Sequence, residues 1–503
     1  MAIESELKLR IAAADMGKLK RHPFLRSISS GRAQTRKLYS VYFDTPDLYL
    51  HRQRMALRLR RVGKQWVQTM KGGGGVQAGL HQRNEWEAPV ATEHLDWPAL
   101  KAQGGPDLAQ VIRKNLQPLF VTDFSRSIYN VKFEGASIEL SLDSGEIRAG
   151  DAIHPISELE LELKEGAPLQ LYRLGLALMD VVPLQIEITS KAEYGYQLHL
   201  PIKKTVVKSQ HANLQENSAV KEALQSLIWS CLSHLQANVS GALNQTHDEY
   251  LHQLRVALRQ LRVVLEMASE YRADPELELL KSSAGELGKV LGHSREWDVF
   301  VSQVLPSLPR HWAPRSEVKA IVRQSEERRN VSHLVANTTL QAGKFQRLIL
   351  RLGAWMYSGY WDEGECTETL GIFADNMLAK TGRKVRQRGK IIAENISPAR
   401  IHKFRIAVKN YRYCLEMFAL LYSERRVRHH TKFLIELQDS LGYFNDNTVA
   451  LRLLKESGLD VESASIVALR NILSDRKVKS MKAICKAWGS RKNSLFVHKL
   501  KGR

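Results

Sequence analysis

The sequence predicts an α+β multidomain protein, with an antiparallel β-sheet domain followed by an all-α domain built from two similar halves. Up to about residue 200, short segments alternate polar and apolar residues with period two, which is typical of β-strands. After Pro201, apolar residues recur at three- and four-residue spacing with few Pro or Gly, which is typical of amphipathic helices. A repeat at a constant offset of 150 residues inside the helical part indicates the two halves.

These patterns set the expected domain ranges. We expect a first domain over 1–202, a linker over the polar stretch 203–217 and a helical domain over 218–500. The repeat divides the helical domain into halves of about 218–367 and 368–500.

Nine strands are predicted in the first domain from the period-two alternation. They lie around residues 3–11, 38–43, 56–60, 65–71, 83–88, 128–134, 137–142, 158–164 and 185–189. Gly and Pro clusters, including the run Gly72 to Gly75, are expected to separate some of them.

The net charge of +21 is unevenly distributed along the chain. Residues 1–200 carry a net charge of +3, whereas residues 201–503 carry +18. The helical part therefore has an attractive field for a polyanion, although a solvated basic surface would give the same count.

Several protein classes are excluded by the composition. No run of about 18 uncharged apolar residues is present, so no membrane span is expected. The first residues, MAIESELKLR, lack the pattern of a signal peptide. Four scattered cysteines form no CxxC pair, which favours a reducing cytoplasm over a disulfide framework or a zinc cluster.

Charged residues follow one face of many predicted strands. Glu4, Glu6 and Lys8 share a face because residues two apart in a strand point the same way. The same alternation recurs at Arg58 and Arg60; at Arg83, Glu85 and Glu87; at Glu139 and Asp143; and at Glu158, Glu160 and Glu162. A sheet with one charged face in water would explain any single strand. Taken together, converging carboxylates suit Mg²⁺ or Mn²⁺ and the cations suit phosphate oxygens, so a metal–oligophosphate site is predicted.

The first domain resembles the CYTH family, also called triphosphate tunnel metalloenzymes. The resemblance rests on the ExExK motif from Glu4 to Lys8, Tyr42-Phe43-Asp44-Thr45, the Arg58-Leu59-Arg60 strand, Lys71, His81-Gln82-Arg83, the run from Glu158 to Glu162, and Ser190-Lys191. It covers about residues 1–200 and implies an eight-stranded antiparallel β-barrel, a tunnel with its charged residues inside.

Roles for individual residues follow from that resemblance. It implies divalent-metal ligands at Glu4, Glu6, Asp143, Glu158 and Glu160, with Glu162 as a further candidate on the same face. It implies triphosphate binding by Lys8, Arg58, Arg60, Lys71, Arg83, Arg126 and Lys191. Glu4, Glu6 and Lys8 are expected to carry catalysis. Lys71 falls on the strand face of Val67 and Thr69, so its inward direction is open at this point.

A basic stripe recurs in the helical part. His252, Arg255, Arg259 and Arg262 lie along one helical face, and His402, Arg405, Lys409 and Arg412 repeat them 150 residues later. The residues just before them, from Leu251 to Leu261 and from Ile401 to Tyr411, form an apolar stripe expected to face the core. Because like charges at this spacing repel, two such helices favour a bound anion over a solvated face.

This part resembles the CHAD domain, a helical module often fused behind a CYTH domain. The matching residues are the His252 and His402 stripes, Leu291-Gly292 with Arg295 and Asp298, and Leu441-Gly442, where Asn445 and Thr448 replace the Arg295–Asp298 pair. That pair is open to interpretation as a local salt bridge. The resemblance implies that the two stripes bind inorganic polyphosphate.

The sequence as a whole predicts a cytoplasmic inorganic triphosphatase. It would hydrolyse tripolyphosphate to orthophosphate and pyrophosphate with Mg²⁺ or Mn²⁺, and its helical domain would bind long-chain polyphosphate. The alternatives are a class IV adenylate cyclase, which shares the ExExK motif, and a non-catalytic polyphosphate-binding or targeting protein. Nucleic acid is not expected as a partner because no RNP-type aromatic motif is present.

Overall fold

The alternating segments of the first 200 residues form a β-sheet in the computed structural model, which describes residues 2–200, 205–210, 212–244, 247–362, 368–460 and 462–491. Cys366 lies outside these residues, so the prediction about the four cysteines applies structurally only to the other three, which are free thiols. The chain divides into two compact units. The N-terminal unit comprises residues 1–205 and 341–362, and the helical unit comprises 206–340 and 363–503.

Nine antiparallel strands build the sheet of the N-terminal unit. They are β1 (Ala2–Ile11), β2 (Gln34–Asp44), β3 (Met55–Val62), β4 (Gln65–Gln77), β5 (Leu80–Val90), β6 (Gln117–Phe133), β7 (Ala136–Ala149), β8 (Ala152–Glu165) and β9 (Leu184–Ile186). The strand order is β5-β4-β3-β2-β6-β7-β8-β1-β9, and β5 also pairs with β1. Eight strands therefore close into a barrel, with β9 added beside β1, which confirms the predicted eight-stranded antiparallel barrel.

Two expectations about these strands were wrong. The glycines from Gly72 to Gly75 do not separate strands but lie inside β4, where the pairing with β5 shifts register. Gly73 and Gly74 have φ angles of +69° and +71°, which glycine adopts readily, so the run serves a bulge within β4 rather than a turn between strands. The predicted strand over 185–189 ends at Ile186, and Glu187 instead continues into the loop before Lys191.

Sixteen α-helices are found among the described residues. They are α1 (Ala13–Arg21), α2 (Pro23–Ile28), α3 (Tyr49–Arg52), α4 (Trp97–Ala102), α5 (Gln110–Lys114), α6 (Pro168–Leu178), α7 (Lys191–His199), α8 (Val220–Leu243), α9 (Asp248–Tyr271), α10 (Pro275–Val299), α11 (Arg315–Gln341), α12 (Gly343–Met356), α13 (Leu370–Glu394), α14 (Pro398–Met417), α15 (Glu424–Glu456) and α16 (Ala464–Arg491). None of the helices in the described part of the chain combines the length and the apolar character needed to cross a bilayer.

The two halves of the helical unit repeat one another. Helices α8 to α11 correspond in order to α13 to α16: α8 and α13 begin at Val220 and Leu370, and α9 and α14 at Asp248 and Pro398. Polar residues cap both stripe-bearing helices, since His247 accepts a hydrogen bond from Glu249 N and Ser397 one from Arg400 N. The predicted all-α domain with two similar halves is therefore confirmed.

The apolar stripes beside the basic residues face the core, as expected. Leu254 and Leu261 on α9 are fully buried, and so are Phe404 and Tyr411 on α14. Burying these stripes fixes the rotation of both helices, because the residues one position further along must then lie at the edge of the buried face.

Helix α12 belongs to the N-terminal unit although it follows the first repeat half in the sequence. The Ile186 amide donates a hydrogen bond of 2.9 Å to Gln346 Oε1, which ties α12 to β9. Gly353 packs against the Tyr172 ring of α6 so closely that a Cβ there would lie 2.2 Å from it. The predicted domain ranges assigned residues 341–362 to the helical domain, whereas the structure groups them with the barrel.

Candidate functional site

The interior of the barrel contains a polar cavity of about 240 Å³. It is lined by most of the residues predicted to form the site: Glu4, Glu6, Lys8, Arg58, Arg60, Lys71, Arg83, Arg126, Glu160, Glu162 and Lys191. Asp143 and Glu158 do not line it but lie buried next to it. Strand register explains the convergence, because residues directly opposite on antiparallel strands face the same side. Lys8 pairs with Glu160, and Arg126 pairs with Asp143.

Lys71, whose direction was open, points into the barrel. It pairs across β4 and β5 with Glu85, and its ammonium lies 3.2 Å from the Glu85 carboxylate and also contacts Glu4. Met70, one residue earlier, is fully buried on the other face. The face shared by Thr69 and Lys71 is therefore the inner one.

A dense set of ion pairs occupies one side of the barrel interior. Lys191 Nζ lies 2.9 Å from Asp143 and 2.7 Å from Glu160, and it also contacts Glu158. Arg126 binds Asp143 with two hydrogen bonds of 2.8 and 2.6 Å. Oxygens of Asp143, Glu158 and Glu160 lie within 4.8 Å of one another, which is the spacing of ligands to a hard divalent cation. Here Lys191 supplies the positive charge that offsets them.

The carboxylates of the ExExK motif have very different proton affinities. Burial raises the pKa of Glu4 to about 7, against the opposing attraction of Lys71. Burial also acts to raise the pKa of Glu6, but Lys8 and Lys71 hold it at about 2. Near neutral pH, Glu6 is therefore ionised while Glu4 is partly protonated, and a cation beside Glu4 would favour its carboxylate form.

The other side of the cavity is cationic. Arg60 donates a hydrogen bond of 3.1 Å to Ser40 Oγ, and Arg58 approaches Glu85 no closer than 3.7 Å. Burial, with repulsion from Arg58 and Arg126, lowers the pKa of Arg60 to about 9. The buried Arg58 Nε has no hydrogen-bond partner among the described residues. Buried donors of this kind are normally satisfied, so this side fits an anion.

Sequence reasoning missed several residues of the cavity. Tyr42, Thr69, Glu85, Glu87, Lys164 and Ser190 also line it. Glu85 and Glu87 follow Arg83 at two-residue spacing. The period-two pattern of the sequence therefore already placed all three on the same strand face. Ser190 caps α7 by accepting a hydrogen bond of 3.2 Å from Glu193 N, which places Lys191 at the start of that helix.

A second cavity, of about 730 Å³, lies within the helical unit. Both basic stripes line it, through Arg255, Arg259, Arg262, His402, Arg405 and Lys409. His252 and Arg412, the remaining predicted residues, are not part of this lining. Arg412 instead lies 3.3 Å from Glu416.

Burial and crowded like charges lower the pKa values of basic residues in this cavity. Burial and the neighbouring Arg259 lower the pKa of Arg255 to about 10. Burial, Arg259 and Arg405 lower the pKa of Lys409 to about 6. The buried Arg405 Nε has no hydrogen-bond partner in the described part of the chain. The cavity is therefore short of negative charge.

Comparison with known proteins matches each unit to a family. The profile of the CYTH domain matches residues 2–196, and the profile of the CHAD domain matches residues 226–455. The chain contains a CYTH domain over residues 2–196 and a CHAD domain over residues 226–455.

Individual relatives agree with this assignment. The chain is 32% identical over 197 residues to a protein named inorganic triphosphatase from Haemophilus influenzae, a match that spans 38% of this chain and 54% of the relative. The chain therefore matches only about half the length of that relative. It is also similar to the crystal structure of the CHAD domain from the plant Ricinus communis, with a TM-score of 0.51 and 26% identity over 57% of this chain and 97% of that one.

The CHAD cavity includes basic residues outside the two predicted stripes. Lys281, Lys289, Arg295, Lys384 and Arg452 line it from α10, α13 and α15. Arg295 belongs to the segment that resembles the CHAD domain, but the other four lie in no motif, and only the packing of the helices brings them together.

The open question about Arg295 and Asp298 is answered by the geometry of the CHAD domain. Arg295 lies 3.8 Å from Asp298, which is a weak ion pair. Asp298 is fully buried and instead accepts hydrogen bonds from Arg329 Nε (2.9 Å) and pairs with His333 Nε2 (2.7 Å). Asp298 therefore holds α11 against α10, and Arg295 lines the cavity instead.

Proposed function

We propose that the CYTH domain hydrolyses inorganic tripolyphosphate with the help of Mg²⁺ or Mn²⁺. The observation that carries this proposal is the lining of the barrel cavity. Apart from Ala56 and Ala192, every residue that lines it is charged or carries a hydroxyl group. Pockets for organic ligands are mostly apolar and usually exceed about 300 Å³. A 240 Å³ cavity without an apolar platform favours a purely inorganic chain over a nucleotide.

The cationic side of the cavity would bind the phosphate groups. Arg58 and Arg60 have hydrogen-bonding capacity that the described residues leave unused, and guanidinium groups match phosphate oxygens in pairs. Lys71, Arg83 and Arg126 would add further contacts from the neighbouring strands.

The carboxylates that line the cavity fit a divalent cation, because they are hard oxygen ligands on one inner face. Glu4, Glu6, Glu160 and Glu162 would hold it, with Asp143 and Glu158 behind them bound to Arg126 and Lys191. A divalent cation supplies charge neutralisation and acidifies water.

The reaction adds a water oxygen to a terminal phosphorus and breaks its bond to the bridging oxygen, which leaves orthophosphate and pyrophosphate. Lys8 and Lys191, both buried, would stabilise the negative charge that develops on the phosphoryl oxygens.

For the CHAD domain, we propose binding of inorganic polyphosphate in the 730 Å³ cavity. Cations from both repeat halves line this cavity. Burial, together with repulsion from Arg259 and Arg405, lowers the pKa of Lys409, and a bound polyanion would offset that repulsion.

The catalytic proposal is tested with the full chain, tripolyphosphate, ATP and Mg²⁺. We expect orthophosphate and pyrophosphate from tripolyphosphate, and loss of activity on addition of EDTA. Glu6→Gln should reduce turnover about 100-fold, because it removes a charge that acts on the reacting centre. Glu165→Gln, an exposed change on the same strand as Glu160, is the matched control and should have no effect. Cyclic AMP as the main product would indicate the cyclase instead, and an inactive wild type would indicate a binding protein.

The CHAD proposal is tested by binding of long-chain polyphosphate to the Glu6→Gln chain, with RNA as competitor. Affinity should fall steeply with salt, as for any polyanion held by several cations. Equal competition by RNA, compared per charge, would contradict the assignment to polyphosphate.

A further inference from the structure

The two halves of the CHAD domain do not contribute equally to its basic surface. A further cavity of about 370 Å³ is lined by α9 and α10 alone. Arg255, Arg259, Arg262, Lys281 and Lys289 line both this cavity and the 730 Å³ cavity. The basic surface of the large cavity therefore continues along the first half.

Glycines keep this continuation open. Gly285 and Gly288 lie on α10 and line the smaller cavity opposite the α9 stripe. A Cβ at Gly288 would meet no described atom within 4 Å, and a Cβ at Gly285 would lie 3.8 Å from Arg262 Cζ. Glycine is unfavourable in a helix interior by about 1 kcal/mol relative to alanine. Two glycines on the cavity side of α10 therefore favour open space over helix stability.

The second half differs at all four corresponding positions of α15. At the constant offset of 150 residues, Lys281 and Lys289 become Thr431 and Asp439, and the two glycines become Ile435 and Gln438. The second half therefore has neither the two lysines nor the two glycines at these four positions.

The last member of each basic stripe shows the same asymmetry. Arg262 lines both cavities. Its counterpart Arg412 lines neither; it is 3.3 Å from Glu416, and its guanidinium lies over the Tyr413 ring at 5.4 Å. Arg412 therefore faces Glu416 and Tyr413 of its own helix rather than either cavity.

We propose that a long polyphosphate chain leaves the large cavity in one direction only, along α9 and α10 of the first half. Arg262 and Lys289 would then bind the part of the chain that does not fit in the large cavity, whereas Lys281 is already paired with Glu266 (3.2 Å) and Glu278 (2.5 Å). This inference rests on the proposed polyphosphate binding by the CHAD domain, and it adds that chain length is sensed by one half of the repeat. Short chains would be held mainly by Arg255, Arg259, Arg405 and Lys409, which the two stripes contribute to the large cavity.

The test compares equivalent positions of the two halves in the Glu6→Gln full chain, with short-chain and long-chain polyphosphate fractions as probes. Arg262→Ala should weaken long-chain binding about tenfold and reduce the salt slope by about 0.7 to 0.9, as expected for one lost phosphate contact. Because Arg262 also lines the large cavity, short-chain affinity should fall as well, but by a smaller factor than long-chain affinity. Arg412→Ala should change neither. If Arg412→Ala weakens long-chain binding as much as Arg262→Ala, the inference is wrong.

A second pair of variants tests the path itself. Gly288 lines both cavities, so Gly288→Leu should narrow both, and it should weaken long-chain binding more than short-chain binding. Gly442→Leu is its control, because that glycine also has no described atom within 4 Å of its Cβ position but lines neither cavity. Leucine favours helix over glycine, so lost binding would not reflect unfolding. Unchanged long-chain binding by Gly288→Leu would overturn the inference, whereas a wild type that binds neither probe would refute polyphosphate binding itself.

Discussion

Arg58 and Arg61 lie three residues apart on β3 and face opposite sides of the barrel wall. Arg58 lines the cavity, whereas Arg61 is exposed and donates a hydrogen bond of 3.2 Å to Gly63 O. Comparing substitutions at the two positions therefore distinguishes loss of any arginine on β3 from loss of the proposed phosphate contact.

We predict that Arg58→Ala raises the KM for tripolyphosphate about tenfold or more, because a hydrogen bond to a charged group contributes about 1.5 to 3 kcal/mol. Arg61→Ala should leave KM unchanged. Steady-state kinetics at saturating Mg²⁺ measures both. Equal KM values for the two variants would remove Arg58 from the proposed substrate site.

Lys409 is the residue of the CHAD domain whose charge depends most on its surroundings. Its pKa is about 6 because of burial and of the neighbouring Arg259, Arg405, Arg255 and Arg412. A bound polyanion favours the protonated ammonium and so raises this pKa. The corresponding gain in affinity is fully present below about pH 6 and is lost as pH rises through the pKa of the complex.

We therefore predict that polyphosphate binding near pH 7 takes up a proton, and that affinity decreases between about pH 6 and pH 8. Lys409→Arg should flatten this dependence, because arginine stays charged over the whole range. Calorimetry in buffers of different ionisation enthalpy measures the uptake. An unchanged pH dependence in Lys409→Arg would assign it to other groups, such as His402.

At the level of elements, β4 contains a bulge that the glycine run makes possible. The pairing with β5 shifts between Gly72 and Gly75. Gly74 has a φ of +71°, and a Cβ there would lie 1.8 Å from the Gln82 carbonyl oxygen. The bulge lets β4 follow the curve of the barrel beside Arg83, which lines the cavity.

We predict that Gly74→Ala lowers the free energy of unfolding by more than about 1 to 2 kcal/mol, since it combines a left-handed backbone with a clash against backbone. Gly75→Ala should have little effect, because no described atom lies within 4 Å of its Cβ position. Thermal or denaturant unfolding of the full chain compares them. A Gly74→Ala variant as stable as Gly75→Ala would show that the bulge tolerates a side chain.

At the scale of the whole molecule, the N-terminal unit is assembled from two separate stretches of chain. Helix α12 covers apolar surface of that unit: a Cβ at Gly175 would lie 3.5 Å from Leu350, and Tyr172 stacks on Tyr357 with centroids 6.0 Å apart. Arg347 adds a hydrogen bond of 3.1 Å to the Met179 carbonyl oxygen. A fragment ending at residue 205 would expose this surface.

We predict that residues 1–205 alone unfold at a lower temperature than the full chain, and that a synthetic peptide of residues 341–362 raises this temperature in proportion to its occupancy. The same peptide with Gly353→Leu should fail, because its side chain would collide with Tyr172. Differential scanning fluorimetry with increasing peptide measures the effect. Equal stabilisation by both peptides would contradict the packing described here.

Much of the fold and of the candidate site follows from local sequence patterns. The period-two alternation of Glu4, Glu6 and Lys8 defines an inner and an outer strand face, because side chains of a strand alternate strictly. The offset of 150 residues between His252 and His402 defines two helical halves, since each repeat forms the same supersecondary unit. The alternation predicted the strands and the repeat predicted the two helical halves, whereas the eight-stranded barrel and the roles of its residues followed from the resemblance to the CYTH family. Eleven of the predicted site residues line the barrel cavity, and six line the larger cavity of the CHAD domain.

Only the tertiary structure decided which of these residues meet. Closure of β1 onto β5 brings Glu4 to Lys71, residues that no local pattern connects. The association of α12 with the barrel and of Lys281 with the α9 stripe depends on the packing of distant segments. Local spacing determines the direction of a side chain within its own strand or helix. Its neighbours across the fold are selected by burial of apolar surface, which has no fixed spacing along the chain.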